Sequence, residues 1–304
     1  MKHWIQAARL RTLPLSLSGI LVGSMYAYKT SKLTSIELFD WKIFILAILT
    51  TVAFQVLSNF ANDYGDGVKG TDANRIGEKR LVATGEITPK KMKIAVYLTA
   101  IISFLFACLL IYFSFKNRYL NYSLFFLGLG IVSIIAAIKY TVGNFAYGYK
   151  GLGDLFVFIF FGWVSTLGSN FLFTKDFDIL LMLPASAIGM LSAGVLNLNN
   201  MRDEVLDRRS GKNTLVVKMG GNNAKKYHYF LIITAMILII LFGLLSNFKW
   251  DQYFFLTAYF PLISHLITVY NCPDNRALDP QLKKLAISTF LISLILSLTL
   301  IFNQ

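Results

Sequence analysis

The stretch IFILAILTTVAFQVLSNFAN, residues 43–62, contains twenty residues without a charged side chain. A helix that crosses the hydrocarbon core of a bilayer needs about 17–25 such residues. Comparable uncharged stretches recur along the chain, at residues 12–28, 43–62, 94–115, 119–138, 155–174, 179–201, 227–248, 252–273 and 285–304. Because lipid offers no hydrogen bonds to backbone groups, we predict an all-α bundle of nine transmembrane helices, forming one domain over residues 1–304.

The overall composition agrees with this interpretation. The 304 residues are 56% hydrophobic and 15% charged, and the mean hydropathy is +0.59. Lys2, Arg9 and Arg11 precede the first apolar run, as in a signal peptide, but no clear cleavage pattern follows and eight more apolar stretches come after it. We therefore expect the first stretch to be retained as a span.

The basic residues are distributed unevenly between the two predicted sides of the membrane. If the N-terminus is cytoplasmic, the cytoplasmic segments hold 22 of the 29 Lys and Arg residues. The positive-inside rule therefore predicts a cytoplasmic N-terminus and a location in the cell's inner (plasma) membrane. The net charge of +13 needs no nucleic acid partner, because anionic lipid accounts for it. The sequence leaves the number of subunits open.

Three connections on the predicted cytoplasmic side stand out. Residues 63–93 and 202–226 are long and highly charged, and residues 139–153 are rich in tyrosine and glycine. The connections on the other side are short and plain. Any chemistry is therefore predicted at the cytoplasmic ends of the helices.

The first of these connections begins with a polar motif, QVLSNFANDYGDGVKGTD at residues 55–72. On a helix, Asn59, Asp63 and Asp66 fall within about 60° of one another, so their oxygens are expected to project together. Gly65, Gly67 and Gly70 are predicted to break the helix. That break would let the residues which follow, Lys69 and Asp72 among them, curl back towards the carboxylates.

The second motif, NLNNMRDEVLDRRSGKNTL, occupies residues 197–215. Asn199, Asp203 and Asp207 are spaced four and four, which again places them in one stripe. Carboxylates at this spacing repel each other, and the repulsion increases where water is excluded. Two such stripes favour a bound divalent cation over a purely solvated helix end.

Magnesium suits these hard oxygen ligands, and it commonly shares its coordination shell with substrate phosphates. Basic residues near both motifs would bind the same phosphates. We name Lys69 and Lys212 as the strongest candidates, together with Arg80 and Arg202. A diphosphate held by Mg²⁺ and these cations is the predicted ligand.

The two motifs, with YGYKGLGD at residues 147–154 and RLRTLPLS near the N-terminus, resemble the UbiA superfamily of intramembrane prenyltransferases. Within it, NFANDYGDGVKGTD and NNMRDEVLDRRSGKNTL look like the 1,4-dihydroxy-2-naphthoate polyprenyltransferases of menaquinone synthesis. The resemblance covers nearly the whole chain in span count and loop pattern. It implies transfer of a polyprenyl group from its diphosphate to 1,4-dihydroxy-2-naphthoate with decarboxylation, which gives demethylmenaquinone.

The resemblance also implies which residues bind the metal. It places Asn59, Asp63 and Asp66 of the first motif at Mg²⁺, with Asp203 and Asp207 of the second. The wider superfamily often has its third acid four residues after the second, where this chain has Gly67, and the acid is instead at Asp66. Asn199 and Asp72 are expected beside the bound substrate.

The acceptor side of the reaction is less marked in the sequence. Tyr140, Tyr147 and Tyr149 could stabilise an allylic cation through their ring faces, or could simply pack. Asp154 could act on the aromatic acceptor or cap its helix. His265 lies inside a predicted span, where we expect a neutral histidine hydrogen-bonded to a neighbouring helix rather than a functional group.

Three alternatives stay open. The same fold could prenylate another acceptor, such as 4-hydroxybenzoate, a chlorin or haem. A cation-coupled transporter could use intramembrane acids, although such carriers place them near the bilayer midplane on broken helices. A membrane protein that binds lipid without catalysis is the third alternative.

Overall fold

The computed structural model describes residues 2–34, 38–71, 77–116 and 118–302, which form helices and turns without a β-strand among them. Within these ranges nine long helical segments follow one another. They are α1 Leu13–Thr34, α2 Trp41–Lys69, α3 Pro89–Phe115, α4 Leu120–Lys139, α5 Gly153–Thr174, α6 Ile179–Arg209, α7 Gly221–Leu245, α8 Trp250–Asn271 and α9 Asn275–Phe302. Two short helices, Lys2–Ala8 and Leu215–Met219, precede α1 and α7.

Eight of the nine segments, α2 to α9, are long and apolar enough to cross a membrane. The predicted all-α, multi-pass membrane fold is thereby confirmed. The first predicted span, 12–28, falls in α1, which has 22 residues but is not one of the eight. The count of nine transmembrane helices and the cytoplasmic N-terminus stay predictions.

Local signals fix the ends of the helices that matter for the site. The Asp40 carboxylate accepts a hydrogen bond from the backbone N–H of Lys42 at the start of α2. The helix ends at Gly70, whose φ of 72° is left-handed and therefore favours glycine. Pro89 occupies the first turn of α3, where its missing N–H costs no helical hydrogen bond.

Two helices extend beyond the spans predicted from charge. The stretches 43–62 and 179–201 belong to α2 and α6, which continue to Lys69 and Arg209 and so carry both motifs on helix. The prediction that glycines break the helix is wrong at Gly65 and Gly67, which lie inside α2, and confirmed at Gly70, where the helix ends. A Cβ atom at Gly65 would lie 2.6 Å from Thr141 Oγ1, so glycine allows a close helix contact instead.

The helices differ in how much of their apolar surface is buried. In α6 and α9, 56% of the most apolar window is buried, whereas in α4 only 6% is. α6 packs against α5, α7 and α9, and α1 packs against α2, α5 and α9. α6 and α9 therefore form the centre of the bundle, and α4 presents its apolar side chains to lipid.

The three polar connections converge at one end of the bundle, which we call the motif end. Thr141 Oγ1 donates to the backbone oxygen of Ala61 at 3.1 Å, which joins the 139–153 connection to α2. The backbone N–H of Asn213 donates to the oxygen of Tyr149 at 3.0 Å, which joins it to the second motif. These contacts confirm that the motif-bearing connections share a side.

His265 behaves as predicted. It is buried in α8, where its Nε2 lies 2.8 Å from His228 Nε2 of α7 and its Nδ1 lies 2.8 Å from Gln281 Oε1 of α9. The pair links three helices through hydrogen bonds.

Candidate functional site

An elongated cavity of about 400 Å³ lies between α1, α2, α3, α4, α5, α6 and α9. Its lining extends along α2 from Asp66 at the motif end to Ala47. These residues are 19 positions apart, which corresponds to about 28 Å of helix. The cavity is therefore long enough to hold an extended chain across much of the bundle.

The two ends of the cavity differ in polarity. The motif end is lined by charged and amide side chains, namely Arg9, Arg11, Asn59, Asn62, Asp66, Glu78, Arg80, Asn199, Arg202, Lys212 and Lys283. The far end is lined largely by apolar side chains, including Ile20, Leu110, Phe126 and Leu172. This arrangement suits a ligand with an ionic head and a hydrocarbon tail.

Among the motif carboxylates that the structure describes, Asp66 lines the cavity. It is 2% exposed, and its Oδ1 accepts a hydrogen bond of 2.7 Å from the Tyr149 hydroxyl. Thr71 Oγ1 lies 3.1 Å from the same hydroxyl. Tyr149 thus fixes the orientation of Asp66 from the third polar connection.

Asp63 points elsewhere, although it precedes Asp66 by less than one helical turn. Its two carboxylate oxygens accept backbone N–H groups of Leu81 and Val82, each at 3.1 Å. The side chain is fully buried and does not contribute to the described lining of the cavity. In this arrangement Asp63 anchors the 77–88 loop against α2.

Asn59 lines the cavity but uses its amide to hold the N-terminal segment. Its Nδ2 donates to the Ala8 oxygen at 2.8 Å and to Thr12 Oγ1 at 3.2 Å. Asn62 also lines the cavity, one turn before Asp66, and its Oδ1 accepts a bond of 3.3 Å from Thr141. The predicted convergence of Asn59, Asp63 and Asp66 is therefore only partial.

The second motif is organised around Arg202. Its guanidinium donates from Nε and Nη2 to the two carboxylate oxygens of Asp203, each at 2.7 Å, and from Nη2 to Asn199 Oδ1 at 2.8 Å. Nη1 bonds Asp279 at the start of α9. The Arg202 side chain is 1% exposed, so this is a buried network rather than a solvated helix end.

Asp207 and Lys212 close the same helix end. Lys212 Nζ lies 3.9 Å from the side-chain Oδ1 of Asp207. The backbone N–H of Lys212 donates to the backbone carbonyl oxygen of Asp207 at 2.8 Å. Lys212 lines the cavity.

Tyr149 joins the two motifs. Lys69 Nζ lies 4.0 Å and Lys212 Nζ 5.3 Å from the centroid of its ring, so two cations flank one aromatic side chain. Lys69 also donates to the Thr141 oxygen at 2.8 Å. Lys69 and Tyr149 line an open cleft on the surface of the motif end, and Tyr149 donates to Asp66, which lines the cavity.

The remaining predicted residues occupy varied positions. Tyr140 and Arg80 line the cavity, whereas Asp154 is buried behind it in the first turn of α5. Tyr147 also lines it, with its hydroxyl bonded to the Ala136 oxygen at 2.9 Å and its ring stacked 4.0 Å from Phe156. Asp72 lies outside the described residues.

Several cavity residues were missed by the sequence reasoning. Arg9, Arg11, Gln55, Asn62 and Glu78 line the motif end, and Asp279 binds Arg202 behind it. Asn62 could have been found from its spacing, because it lies four residues before Asp66. Gln55 lies four residues before Asn59 and could have been found in the same way. Arg9, Arg11, Glu78 and Asp279 come from the N-terminal segment, the 77–88 loop and α9, which no local spacing relates to the motifs.

The donor set fits a magnesium ion bound together with phosphates. Among the described residues no three His, Cys, Asp or Glu side chains are already gathered into a metal cage. Magnesium usually takes one or two protein carboxylates and fills its shell with water and phosphate oxygens. Asp66 in the cavity wall, with Lys69 and Lys212 beside it, meets that requirement.

A comparison with known families agrees with this geometry. Residues 15–299 match the model of the UbiA prenyltransferase family. The chain belongs to this family. The UbiA assignment therefore covers all nine helical segments except the start of α1 and the end of α9.

Curated UbiA relatives are similar over almost their whole length. The chain is 39% identical over 302 residues to the 1,4-dihydroxy-2-naphthoate octaprenyltransferase of Haemophilus influenzae, covering 99% of this chain and 96% of the relative. It is 40% identical to the protein of the same name from Escherichia coli, with the same coverage.

Solved structures share the fold at low sequence identity. A UbiA homolog from Aeropyrum pernix superposes with a TM-score of 0.66 at 16% identity, covering 97% of this chain and 98% of that one. A UbiA homolog from Archaeoglobus fulgidus, solved with DMAPP and Mg²⁺, gives a TM-score of 0.61 at 15% identity, with 99% of both chains covered. The membrane-embedded UbiA fold is thus common to chains of very different sequence.

Proposed function

We propose that this chain transfers a polyprenyl group from a polyprenyl diphosphate to 1,4-dihydroxy-2-naphthoate, with loss of the carboxylate, in menaquinone biosynthesis. The observation that carries the proposal is the junction at Tyr149, which brings Asp66, Lys69 and Lys212 together at the polar end of an otherwise apolar cavity. The naphthoate acceptor is supported by relatives 39% and 40% identical that carry this name. We place the protein in the cell's inner (plasma) membrane.

The diphosphate is expected at the motif end. Lys69 and Lys212 supply positive charge next to Tyr149, and Arg80 lines the cavity nearby. Asp66 would hold Mg²⁺ from the α2 side, and Asp203 and Asp207 would contribute from α6. When bound, the metal would supply Lewis-acid neutralisation of charge on the leaving diphosphate. The two lysines are expected to bind the same oxygens and to favour their departure.

The apolar part of the cavity serves the other half of the reaction. Breaking the allylic carbon–oxygen bond leaves a cation that water would capture. The walls near the junction include Tyr140, Tyr147 and Phe156, whose ring faces favour positive charge and exclude water. One carbon–carbon bond to the acceptor ring forms, and diphosphate and CO₂ leave. The product is at the quinol level of demethylmenaquinone.

The test is a prenylation assay with the purified full-length protein in nanodiscs. Polyprenyl diphosphate, Mg²⁺ and one acceptor at a time are supplied, with 1,4-dihydroxy-2-naphthoate and 4-hydroxybenzoate compared directly. We expect turnover of the naphthoate, its loss on chelation of the metal, and its loss in Asp66→Asn and Asp203→Asn. Asp251→Asn is the matched control, because Asp251 is exposed at the opposite end of the bundle.

Full activity of Asp66→Asn or Asp203→Asn would remove the metal role assigned here. Turnover of 4-hydroxybenzoate alone would keep the reaction class and replace the acceptor. Binding of the diphosphate without transfer to either acceptor would favour a lipid-binding protein or a carrier instead.

A further inference from the structure

Arg9 has an unusual position at the motif end of the cavity. It connects the short helix Lys2–Ala8 to the turn Leu10–Thr12, and its φ of 49° is in the left-handed region that residues with a side chain rarely adopt. Its side chain is 10% exposed and lines the cavity. Strained backbone is retained where a side chain has to be aimed at a particular place.

The polar atoms of Arg9 are incompletely satisfied. Nε lies 3.8 Å from Glu78 Oε2, and the same oxygen lies 3.0 Å from Arg11 Nη2. Arg9 Nη2 is buried and makes no hydrogen bond with the rest of the described chain. A buried guanidinium nitrogen without an acceptor is unfavourable, so a ligand oxygen at this point would stabilise it.

Neighbouring side chains hold this segment in place. Thr12 Oγ1 accepts hydrogen bonds from Gln55 Nε2 at 3.0 Å and from Asn59 Nδ2 at 3.2 Å. Asn59 also binds the Ala8 oxygen at 2.8 Å, directly before Arg9. Both amides belong to α2, so the backbone on each side of Arg9 is fixed to the helix that carries Asp66.

We propose that Arg9 and Arg11 form an anion subsite that binds the carboxylate of the aromatic acid acceptor. This proposal rests on the proposed function, because it takes the acceptor to be an aromatic carboxylic acid. The subsite is distinct from the diphosphate region at Tyr149. It explains why the cavity has a second cationic group on its α1 side.

Position separates the two regions. The Ala8 oxygen, directly before Arg9 in the chain, binds Asn59, which precedes Asp66 by seven residues, or about 10 Å along α2. A diphosphate bound near Asp66, Lys69 and Lys212 is therefore separated from Arg9. Arg9 is then available to bind a different charged group of the substrates.

Charge and shape also favour a carboxylate at the subsite. Two guanidinium groups and Glu78 leave one net positive charge, which matches a monoanion better than a diphosphate with several negative charges. The planar fork of a guanidinium pairs with the two oxygens of a carboxylate.

The subsite has a consequence for turnover. The acceptor carries a carboxylate, and the prenylated product does not, because CO₂ has left. The ion pair with Arg9 and Arg11 is therefore available to the substrate and lost by the product. Acceptor acids should bind more tightly than the corresponding decarboxylated compounds, which assists product release.

The experiment compares binding and turnover in four variants of the full-length protein in nanodiscs: Arg9→Gln, Arg11→Gln, Glu78→Gln and the control Arg276→Gln, whose side chain is exposed. Binding is measured by calorimetry with two probes, 1-hydroxy-2-naphthoate and 1-naphthol, which differ only in the carboxylate. We expect Arg9→Gln to weaken binding of the acid about 10- to 100-fold, the range for losing a charge-assisted hydrogen bond, and to leave naphthol unchanged.

The Glu78→Gln variant is expected to gain affinity, and a gain in affinity cannot result from misfolding. Removing the competing carboxylate should tighten binding of the acid several-fold. In the prenylation assay, Arg9→Gln should raise the KM for the naphthoate and leave the KM for the polyprenyl diphosphate unchanged.

Several outcomes would overturn the subsite. They are wild-type affinity of Arg9→Gln for the acid, equal weakening of acid and naphthol, or a rise in the KM for the diphosphate alone. Because the binding measurement needs no turnover, a wild-type protein that binds the acid through Arg9 but does not prenylate it would refute the proposed function and retain the subsite.

Discussion

The motif ends of α2 and α6 each carry an asparagine followed by two acids, spaced four and three on α2 and four and four on α6, but they stabilise these carboxylates differently. On α2, Asp63 accepts two backbone N–H groups and Asp66 accepts a tyrosine hydroxyl. On α6, Asp203 receives both arms of the Arg202 guanidinium, and Asp207 has Lys212 at 3.9 Å. In these contacts the carboxylates of α2 accept hydrogen bonds from neutral donors. The carboxylates of α6 contact cationic side chains instead.

This difference indicates a division of roles. A carboxylate hydrogen-bonded to a hydroxyl keeps its negative charge available for a metal ion, whereas one paired with a guanidinium is largely neutralised. We therefore expect Asp66 to contribute most strongly to metal-dependent catalysis and the Arg202 network to contribute most strongly to folding. Substitutions in each helix test this division of roles.

The largest effect on catalysis is expected for Asp66→Asn. Loss of a charge that faces the diphosphate should lower kcat/KM by about 100- to 1000-fold, as for the removal of other strong electrostatic contacts in active sites. The thermal midpoint in nanodiscs should stay close to that of the wild type, because the amide can still accept from Tyr149. A variant that is active but unstable would reverse the assignment.

Arg202→Gln is expected to act on stability. The substitution removes both bonds to a buried carboxylate and the bond to Asp279, and breaking such a buried pair costs about 3–5 kcal/mol. Denaturation of the purified protein measures the loss. Arg208→Gln on the same helix is the control, because its pair with Glu204 is exposed and contributes about 0.3–0.5 kcal/mol. Equal effects of the two substitutions would contradict the buried network.

Asp63→Asn should destabilise the protein more than it impairs catalysis. The amide can accept from only one of the two backbone N–H groups of Leu81 and Val82, so about 2–3 kcal/mol of stability is expected to be lost. Limited proteolysis of the 77–88 loop, compared with unfolding of the whole protein, would locate the loss. A selective fall in kcat without a change in stability would instead place Asp63 at the metal.

The smallest effect is expected for Tyr149→Phe. The ring between Lys69 and Lys212 is retained, and only the hydroxyl that orients Asp66 is lost. A hydrogen bond to a charged group is worth about 1.5–3 kcal/mol, so kcat/KM should fall about 10- to 100-fold, with a higher Mg²⁺ requirement. Tyr97→Phe, exposed on α3, serves as the control. An unchanged Mg²⁺ requirement would show that Tyr149 does not act through Asp66.

The helix boundaries illustrate why charge alone misplaces a helix end. The sequence predicted spans that stop where charged residues begin, but α2 and α6 continue through both motifs. A helix end is set by backbone conformation, here at Gly70 with its positive φ, and not by the first polar residue. Gly65 was misread for the same reason, because the contact with Thr141 that requires glycine is 76 residues away in sequence.

The site residues also show what helical spacing cannot predict. Helical spacing placed Asn59, Asp63 and Asp66 within one 60° sector, yet Asp63 binds the 77–88 loop while Asp66 faces the cavity. The two side chains are about 60° apart around the helix axis, and this angle separates the cavity wall from a packed interface. Residue spacing does not show which neighbouring segment packs against each face of the helix. Tyr149, by contrast, was named from its aromatic character and reaches both motifs.

The amino-acid sequence alone shows that the chain crosses a membrane several times as helices, because lipid demands long uncharged segments with internal hydrogen bonds. It also shows that acids and bases gather at one end, because both follow directly after two of those segments. Which carboxylate faces the cavity depends on the packing of the helices, and the same packing adds Arg9, Arg11 and Glu78 to that wall. Those assignments depend on contacts between segments far apart in sequence, which local periodicity does not encode.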